Sequence, residues 1–251
     1  QLVLRLDPFF IKGQSRAGAL LVCNKEAQTN IPKRWSGKVH IYPVSGITSK
    51  DLRLKESAGT HSLGRFEVLT AGTLIKVKGF GLALKAFKEF TENYPDTRFS
   101  IIGNGPEEPR LRSLVKELRL EDKVRFLSSM PRDDVLRKMT ECDVFLFPSL
   151  RDGGGTVAIE AMAVGRPVVC LDTGGPSMHV TDQTGFKIAP TTPEESVHGL
   201  AAALGKLAAD DDLRKTLGDG GHERAEEVYH WDRLGERLKT IYDQAAAAHE
   251  R

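Results

Sequence analysis

Cysteine is scarce in this 251-residue chain: Cys23, Cys142 and Cys170 are its three thiols, and no two stand at the spacing of metal ligands. That scarcity argues against a zinc module or a disulfide framework, and it predicts buried thiols in a reducing cytoplasm. Long apolar runs are missing as well. The longest, such as residues 19–23, fall far short of the roughly 20 residues that a membrane-spanning helix needs. Nor does either sign of charge dominate. Lys and Arg total 36 against 34 Asp and Glu, so a formal charge of +2 gives no global field for nucleic acid, and any anion site must be local. No short-period repeat of the solenoid kind occurs. No Asp-x-Asp pair of the metal-binding sort appears either. The acidic run Asp210 to Asp212 suits a helix start, where negative charge is favoured.

What the chain does have is 40% hydrophobic and 28% charged residues, enough to bury a substantial core in one large or two smaller domains. From Phe66 onward, short β-branched or apolar runs alternate with longer segments of helical period. Residues 66–71 read as a strand, and Leu82, Ala83, Ala86, Phe87 and Phe90 then recur at helical spacing until Tyr94-Pro95 ends the helix. The scheme repeats with strands at 98–102, 124–127, 144–147 and 168–171, followed by helices near 111–118, 133–140, 157–164 and Ser177. Five such alternations predict an α/β fold, a doubly wound parallel sheet of the Rossmann-like kind with helices on both faces.

The flanks differ. Residues 1–57 carry strand-like runs at 19–23 and 39–42 and read as the tail of a preceding domain, and the polar stretch around 58–64 reads as a linker. The main domain is expected over 65–230, with helices at 193–207 and 211–225, and a last helix over 231–247 within a closing segment, 231–251. The chain opens on Gln1 and runs directly into a strand-like stretch, which predicts that sequence precedes it.

The most informative segment is PSLRDGGGTVAIEAMAVGRPVV, residues 148–169. A strand ends at Pro148, glycines fill 153–155, and a helix opens near Thr156. Ligands of open α/β sheets bind where strands deliver such loops at their carboxyl ends. Glycine lets backbone N–H groups approach an oxyanion, and a helix N-terminus adds positive partial charge, so Gly153, Gly154, Gly155 and Thr156 form a candidate phosphate cradle. Asp152 and Glu160 frame it. An acidic acceptor on each side of a phosphate-binding loop matches a nucleotide-sugar, which carries hydroxyls on both sides of its diphosphate. Taken by itself the pattern is equally an Asp-Gly turn with a glutamate in an early helical turn.

The acidic residue, seven intervening residues, then Glu-Ala-Met and Gly-x-Pro-Val-Val resemble the signature of glycosyltransferase family 4. The segments AGTLIKVKG (71–79), IIGNGP (101–106), VRFL (124–127), DVFLFPS (143–149) and DTGGP (172–176) resemble that family's other motifs in order and spacing. The resemblance covers about residues 66–230 and implies two facing Rossmann-like domains, the donor being held mainly by the second. It implies that Lys78 neutralises the donor diphosphate, that Glu160 accepts from the ribose and that Asp152 holds the transferred sugar. It also implies that Gly72, Thr73, Gly103 and Arg125 lie by the donor. Two positions depart from the pattern. Thr73 stands where the family usually has arginine, with Lys76 and Arg151 as candidate replacements, and Asp152 stands where it usually has glutamate.

The implied activity is retaining transfer of a sugar from a nucleoside-diphosphate sugar to an unknown acceptor, with no metal and no cofactor, in the cytoplasm. Peripheral membrane association would follow from a glycolipid acceptor. No nucleic acid is expected as a partner. A nucleotide-sugar epimerase of the same architecture would need acid/base residues around the hexose, and no convincing His or Glu set appears. A non-catalytic nucleotide-sugar-binding module is the other alternative, and Thr73 is the residue that favours it. A dinucleotide dehydrogenase is disfavoured because no Gly-x-Gly-x-x-Gly follows the first strand. His61 and His179, each without a partnered carboxylate or cysteine, read as structural or solvated.

Overall fold

The computed structural model describes residues 12–13, 15–57 and 64–249, so the expected linker and His61 fall largely outside the described residues. Two short strands come first. β1 (Leu20–Val22) and β2 (Val39–Ile41) pair in parallel, with α1 (Lys25–Thr29) between them, and α2 (Ser49–Arg53) follows. The large sheet is built from β3 (Phe66–Ala71), β4 (Thr97–Ile102), β5 (Val124–Leu127), β6 (Val144–Phe147), β7 (Val168–Leu171) and β8 (Gly185–Ile188). Its order is β5-β4-β3-β6-β7-β8 and every pairing is parallel, the doubly wound arrangement that the alternation predicts. The sixth strand was not anticipated. β8 is four residues long and partly exposed at the sheet edge, and its sequence Gly-Phe-Lys-Ile has no continuous apolar run of the kind that marks β6 and β7.

The crossover helices are α3 (Phe80–Asn93), α4 (Glu108–Glu117), α5 (Arg132–Thr140), α6 (Thr156–Ala163) and α7 (Gly174–His179). After the sheet come α8 (Pro193–Ala209), α9 (Asp211–Tyr229) and α10 (Trp231–His249). Asp210 accepts from the Leu213 amide and so caps α9, as the acidic run suggests. Successive strand residues serve opposite faces. Val144, Leu146, Val169 and Leu171 pack with Phe87, Phe90 and Leu204, whereas Phe145, Phe147, Val168 and Cys170 pack with Met139, Met162 and Ala225. Because both faces are covered, β6 and β7 are continuously apolar and do not alternate. Burial pushes the Cys142 and Cys170 thiols up to about 12, so both are inert packing groups at neutral pH.

The ends of the chain meet. Ile47 lies in the second core cluster, its N–H donates to the Tyr229 carbonyl at 2.9 Å, and its own carbonyl accepts from Trp231 at 3.1 Å. Further along α10, the Leu234 carbonyl accepts from the Tyr42 hydroxyl at 2.9 Å and Arg237 donates to the Ile41 carbonyl at 2.5 Å. The last helix thus lies against the β1–β2 sheet.

The last residue of α7, His179, reaches the glycine loop and ties it to the last residue of α9, Tyr229. His179 is buried, with Nε2 2.7 Å from the Gly154 carbonyl and Nδ1 2.9 Å from the Tyr229 hydroxyl. A carbonyl only accepts, so Nε2 carries the proton and Nδ1 accepts from the tyrosine. Burial holds the imidazole below its ordinary value, which keeps it neutral in this role.

Two measurements test this packing. Phe87 is fully buried, its ring 5.2 Å from that of Phe99 and 6.1 Å from that of Phe90, so Phe87→Ala should cost about 3–5 kcal/mol in denaturant unfolding. The unfolded chain protonates His179 below about pH 6.5 while the native ring resists, so its contribution is present above that pH and is lost on acidification. The melting temperature should therefore fall between pH 7.5 and 5, and His179→Gln should lower it at pH 7.5 while flattening its slope. An unchanged slope would mean that the ring charges without penalty.

Candidate functional site

β3 and β6 are the strands at which the sheet order reverses, and the loops leaving their carboxyl ends are docked on each other. The Val77 carbonyl accepts from the amides of Leu150 at 2.9 Å and Arg151 at 3.3 Å and from the Ser149 hydroxyl at 3.3 Å. Gly79 closes the contact. Its φ is +69°, and a Cβ there would stand 2.0 Å from the Pro148 carbonyl oxygen, so both conformation and space require glycine.

This docking brings Lys78 beside Asp152, and the two form an ion pair, about a quarter or less of each side chain exposed. The other carboxylate oxygen of Asp152 accepts from the amides of Gly154 at 3.0 Å and Gly155 at 2.7 Å. Burial alone would push this carboxyl up, but Lys78 and the two amides outweigh it and hold the group below its ordinary value. The expectation that these amides stand open to a phosphate is thus modified, because Asp152 itself takes them up in a turn of the kind that aspartate forms with residues just ahead of it. The loop is held from three sides. The Gly154 carbonyl meets His179, the Gly153 carbonyl accepts from the buried Asn24 amide at 2.9 Å, and Gly175 donates to the Asp152 carbonyl at 2.8 Å.

Beside this loop, at the same sheet edge, is a cleft of about 480 Å³ whose lining includes Gly72, Thr73, Gly103, Val157 and Glu160. Gly103 has φ +140°, and a Cβ there would stand 2.0 Å from the Gly72 carbonyl oxygen, so the backbones of these two loops touch. Thr156 is the first residue of α6, which carries Glu160 onto the cleft wall. Burial raises the Glu160 carboxyl above its ordinary value even with Arg132 against it. Lys76 and Arg151 are both exposed.

Arg125 does not join this group. It is exposed in the middle of β5, before the carboxyl edge is reached, and lines a separate hollow with Arg65, Glu67 and Arg98. Three contributors to the site were not anticipated: Asn24, Asp51 and Arg132. Only Asp51 carries a readable local signal, since Thr48 and Asp51 form a capping box that Thr-x-x-Asp announces. His179 holds the loop, as the structural reading of a lone histidine allows. Among the described residues no cluster of three or more His, Cys, Asp or Glu could hold a metal ion, and no helix is long and apolar enough to cross a membrane.

Comparison with known proteins supplies the family. The family described as Glycosyl transferases group 1 matches residues 55–224. D-inositol 3-phosphate glycosyltransferase of Corynebacterium jeikeium is 31% identical over 188 residues, covering 72% of this chain and 44% of that protein. The phosphatidylinositol N-acetylglucosaminyltransferase gpi3 subunit of Schizosaccharomyces pombe is 30% identical over 167 residues, covering 66% and 35% respectively. The chain therefore spans less than half the length of these curated relatives. Among solved structures, Anabaena Alr3699/HepE in complex with UDP superposes with a TM-score of 0.77 at 19% identity, over 96% of this chain and 67% of that one. Sucrose-phosphate synthase from Thermosynechococcus elongatus gives 0.74 at 24% identity, over 96% and 63%. At those identities the structures speak for the fold, and the family match over residues 55–224 settles the rest: this chain belongs to the glycosyl transferases group 1 family.

Proposed function

We propose that the cleft binds a nucleoside-diphosphate sugar and that this chain is the donor-holding part of a retaining glycosyltransferase. One observation carries the reading: Lys78, Asp152, the glycine loop and Glu160 meet at one sheet edge, beside or on a cleft large enough for such a ligand. In it, Glu160 accepts from the ribose and the diphosphate lies toward Lys78 and the N-terminus of α6. The ammonium, now paired with Asp152, turns to the phosphate oxygens as their negative charge grows in bond breaking. Asp152 then accepts from hydroxyls of the transferred sugar. Anomeric configuration is retained by front-face transfer, in which the leaving phosphate helps deprotonate the acceptor hydroxyl. No metal, cofactor or covalent nucleophile is called on. The acceptor would be bound mainly outside residues 65–230, and a glycolipid acceptor would bring the protein to a membrane surface. The relatives named for inositol phosphate and phosphatidylinositol substrates are the natural guides for an acceptor panel.

Thermal shift with uridine, guanosine and adenosine diphosphates identifies the base, since a ligand that binds only the native state raises its stability. Calorimetry with that diphosphate and its glucose, N-acetylglucosamine and mannose conjugates then tests the roles. Lys78→Ala removes a charge-assisted contact worth about 1.5–3 kcal/mol, so both ligands should bind roughly ten- to hundredfold more weakly. Asp152→Asn keeps an oxygen for the loop amides but frees Lys78. It should leave the diphosphate within a few-fold of the native affinity while weakening the intact donor. Diphosphate binding that ignores Lys78→Ala would refute the site.

A further inference from the structure

Glu160 is not alone on its wall of the cleft. Its Oε1 accepts from Arg132 Nε at 2.5 Å, and the same guanidinium turns its other two nitrogens to Asp51, Nη1 to Oδ1 at 3.0 Å and Nη2 to Oδ2 at 3.1 Å. Both carboxylates are buried, Asp51 to 2% and Glu160 to 7% exposure. Asp51 is itself fixed: its Oδ2 accepts from the Thr48 amide at 2.9 Å, and its own amide donates to the Thr48 hydroxyl at 3.3 Å. The three groups come from three elements, α2, α5 and α6, and the donor-binding reading above gives Arg132 and Asp51 no role of their own.

We propose that Arg132 is a positioning residue for nucleotide binding, holding Glu160 ionised and aimed at the ribose, and that Asp51 holds Arg132. The idea rests on the ribose reading of Glu160. A buried carboxyl tends to take up a proton, and once protonated it keeps one acceptor oxygen and presents an O–H where two hydroxyls need to donate. An arginine cannot lose its charge at any ordinary pH, and a forked pair with Asp51 fixes the plane of its guanidinium. One edge of that plane then locks Oε1 and leaves Oε2 to accept. Asp51 precedes the stretch 58–64, so a residue ahead of the main domain helps to hold the ribose-binding carboxylate. Asp51 lies below its ordinary value, as such a pairing requires: burial acts to raise it, but Arg132 and Thr48 prevail.

Among the described residues the charged groups that face Glu160 are Arg132 from α5 and Asp51 from α2, so removing the first leaves a repulsive neighbour. Binding of the preferred nucleoside diphosphate, and of its 2′,3′-dideoxy analogue, is measured by calorimetry from pH 6 to 8.5 for the native chain, Arg132→Met, Arg132→Lys and Glu160→Gln. The native chain should prefer the ribose form at every pH. Arg132→Met should lose about tenfold in affinity for it at pH 7, lose more at pH 6 and recover part at pH 8.5, while the dideoxy analogue is almost unaffected. Arg132→Lys keeps the charge but not the forked plane, so it should recover only part of the affinity, and its remaining loss for the ribose form carries the test should Arg132→Met fail to fold. Arg132→Met added to Glu160→Gln should cause no further loss, because the arginine acts through the carboxylate. If Glu160→Gln binds both diphosphates as the native chain does, the ribose reading itself fails. If Glu160→Gln weakens the ribose form but Arg132→Met and Arg132→Lys bind normally with no pH dependence, the ribose reading stands and the positioning role is overturned.

Discussion

A single backbone carbonyl, that of Val77, holds the two halves of the site together. β3 and β6 pair only over Val68 with Val144 and Leu69 with Phe145, and beyond those residues each strand feeds its own loop. The two loops meet again where Val77 receives Leu150, Arg151 and Ser149, with Gly79 seated on Pro148. Lys78 and Asp152 are neighbours because of that junction, although 73 residues separate them in sequence. The crevice expected where a doubly wound sheet reverses its order is therefore closed at its base by hydrogen bonds and left open at its rim.

Much of this was written plainly in the chain. Five strands of the large sheet stand within a residue of where their apolar or β-branched runs place them, most plainly β6 and β7, which are covered on both faces and apolar along their whole length. The glycine loop was legible for a similar reason. Three successive glycines between a buried strand and a helix have few explanations, and the positive φ and close contacts at Gly155 and Gly174 show how tightly that turn is packed. The family assignment rested on several such segments in order, and the match over residues 55–224 agrees with it.

What could not be read was pairing over long distances. Arg132 follows a proline and precedes two aspartates, a context that suggests a solvated helix start, and nothing local points to Glu160 or Asp51, 28 and 81 residues away. Asn24 is equally silent about Gly153. Arg125 is the converse case. Its segment resembles a family motif, but strand periodicity sets which face a residue serves and not how far along the strand it stands, and Arg125 lines a hollow separate from the cleft. β8 was passed over because an edge strand needs few buried residues to be stable.

The junction between the chain's two ends has an implication for how the molecule is assembled. The partners of Ile41 and Tyr42 are Arg237 and Leu234, and Ile47 pairs with residues on both sides of His230. During synthesis the β1–β2 segment leaves the ribosome nearly two hundred residues before the helix that covers it, while the six parallel strands are made in between. The large sheet can be complete while its neighbour still shows an uncovered face. The contacts of Ile41 and Tyr42 with Arg237 and Leu234 can therefore form only once the residues beyond Trp231 have been made, later than those within the large sheet.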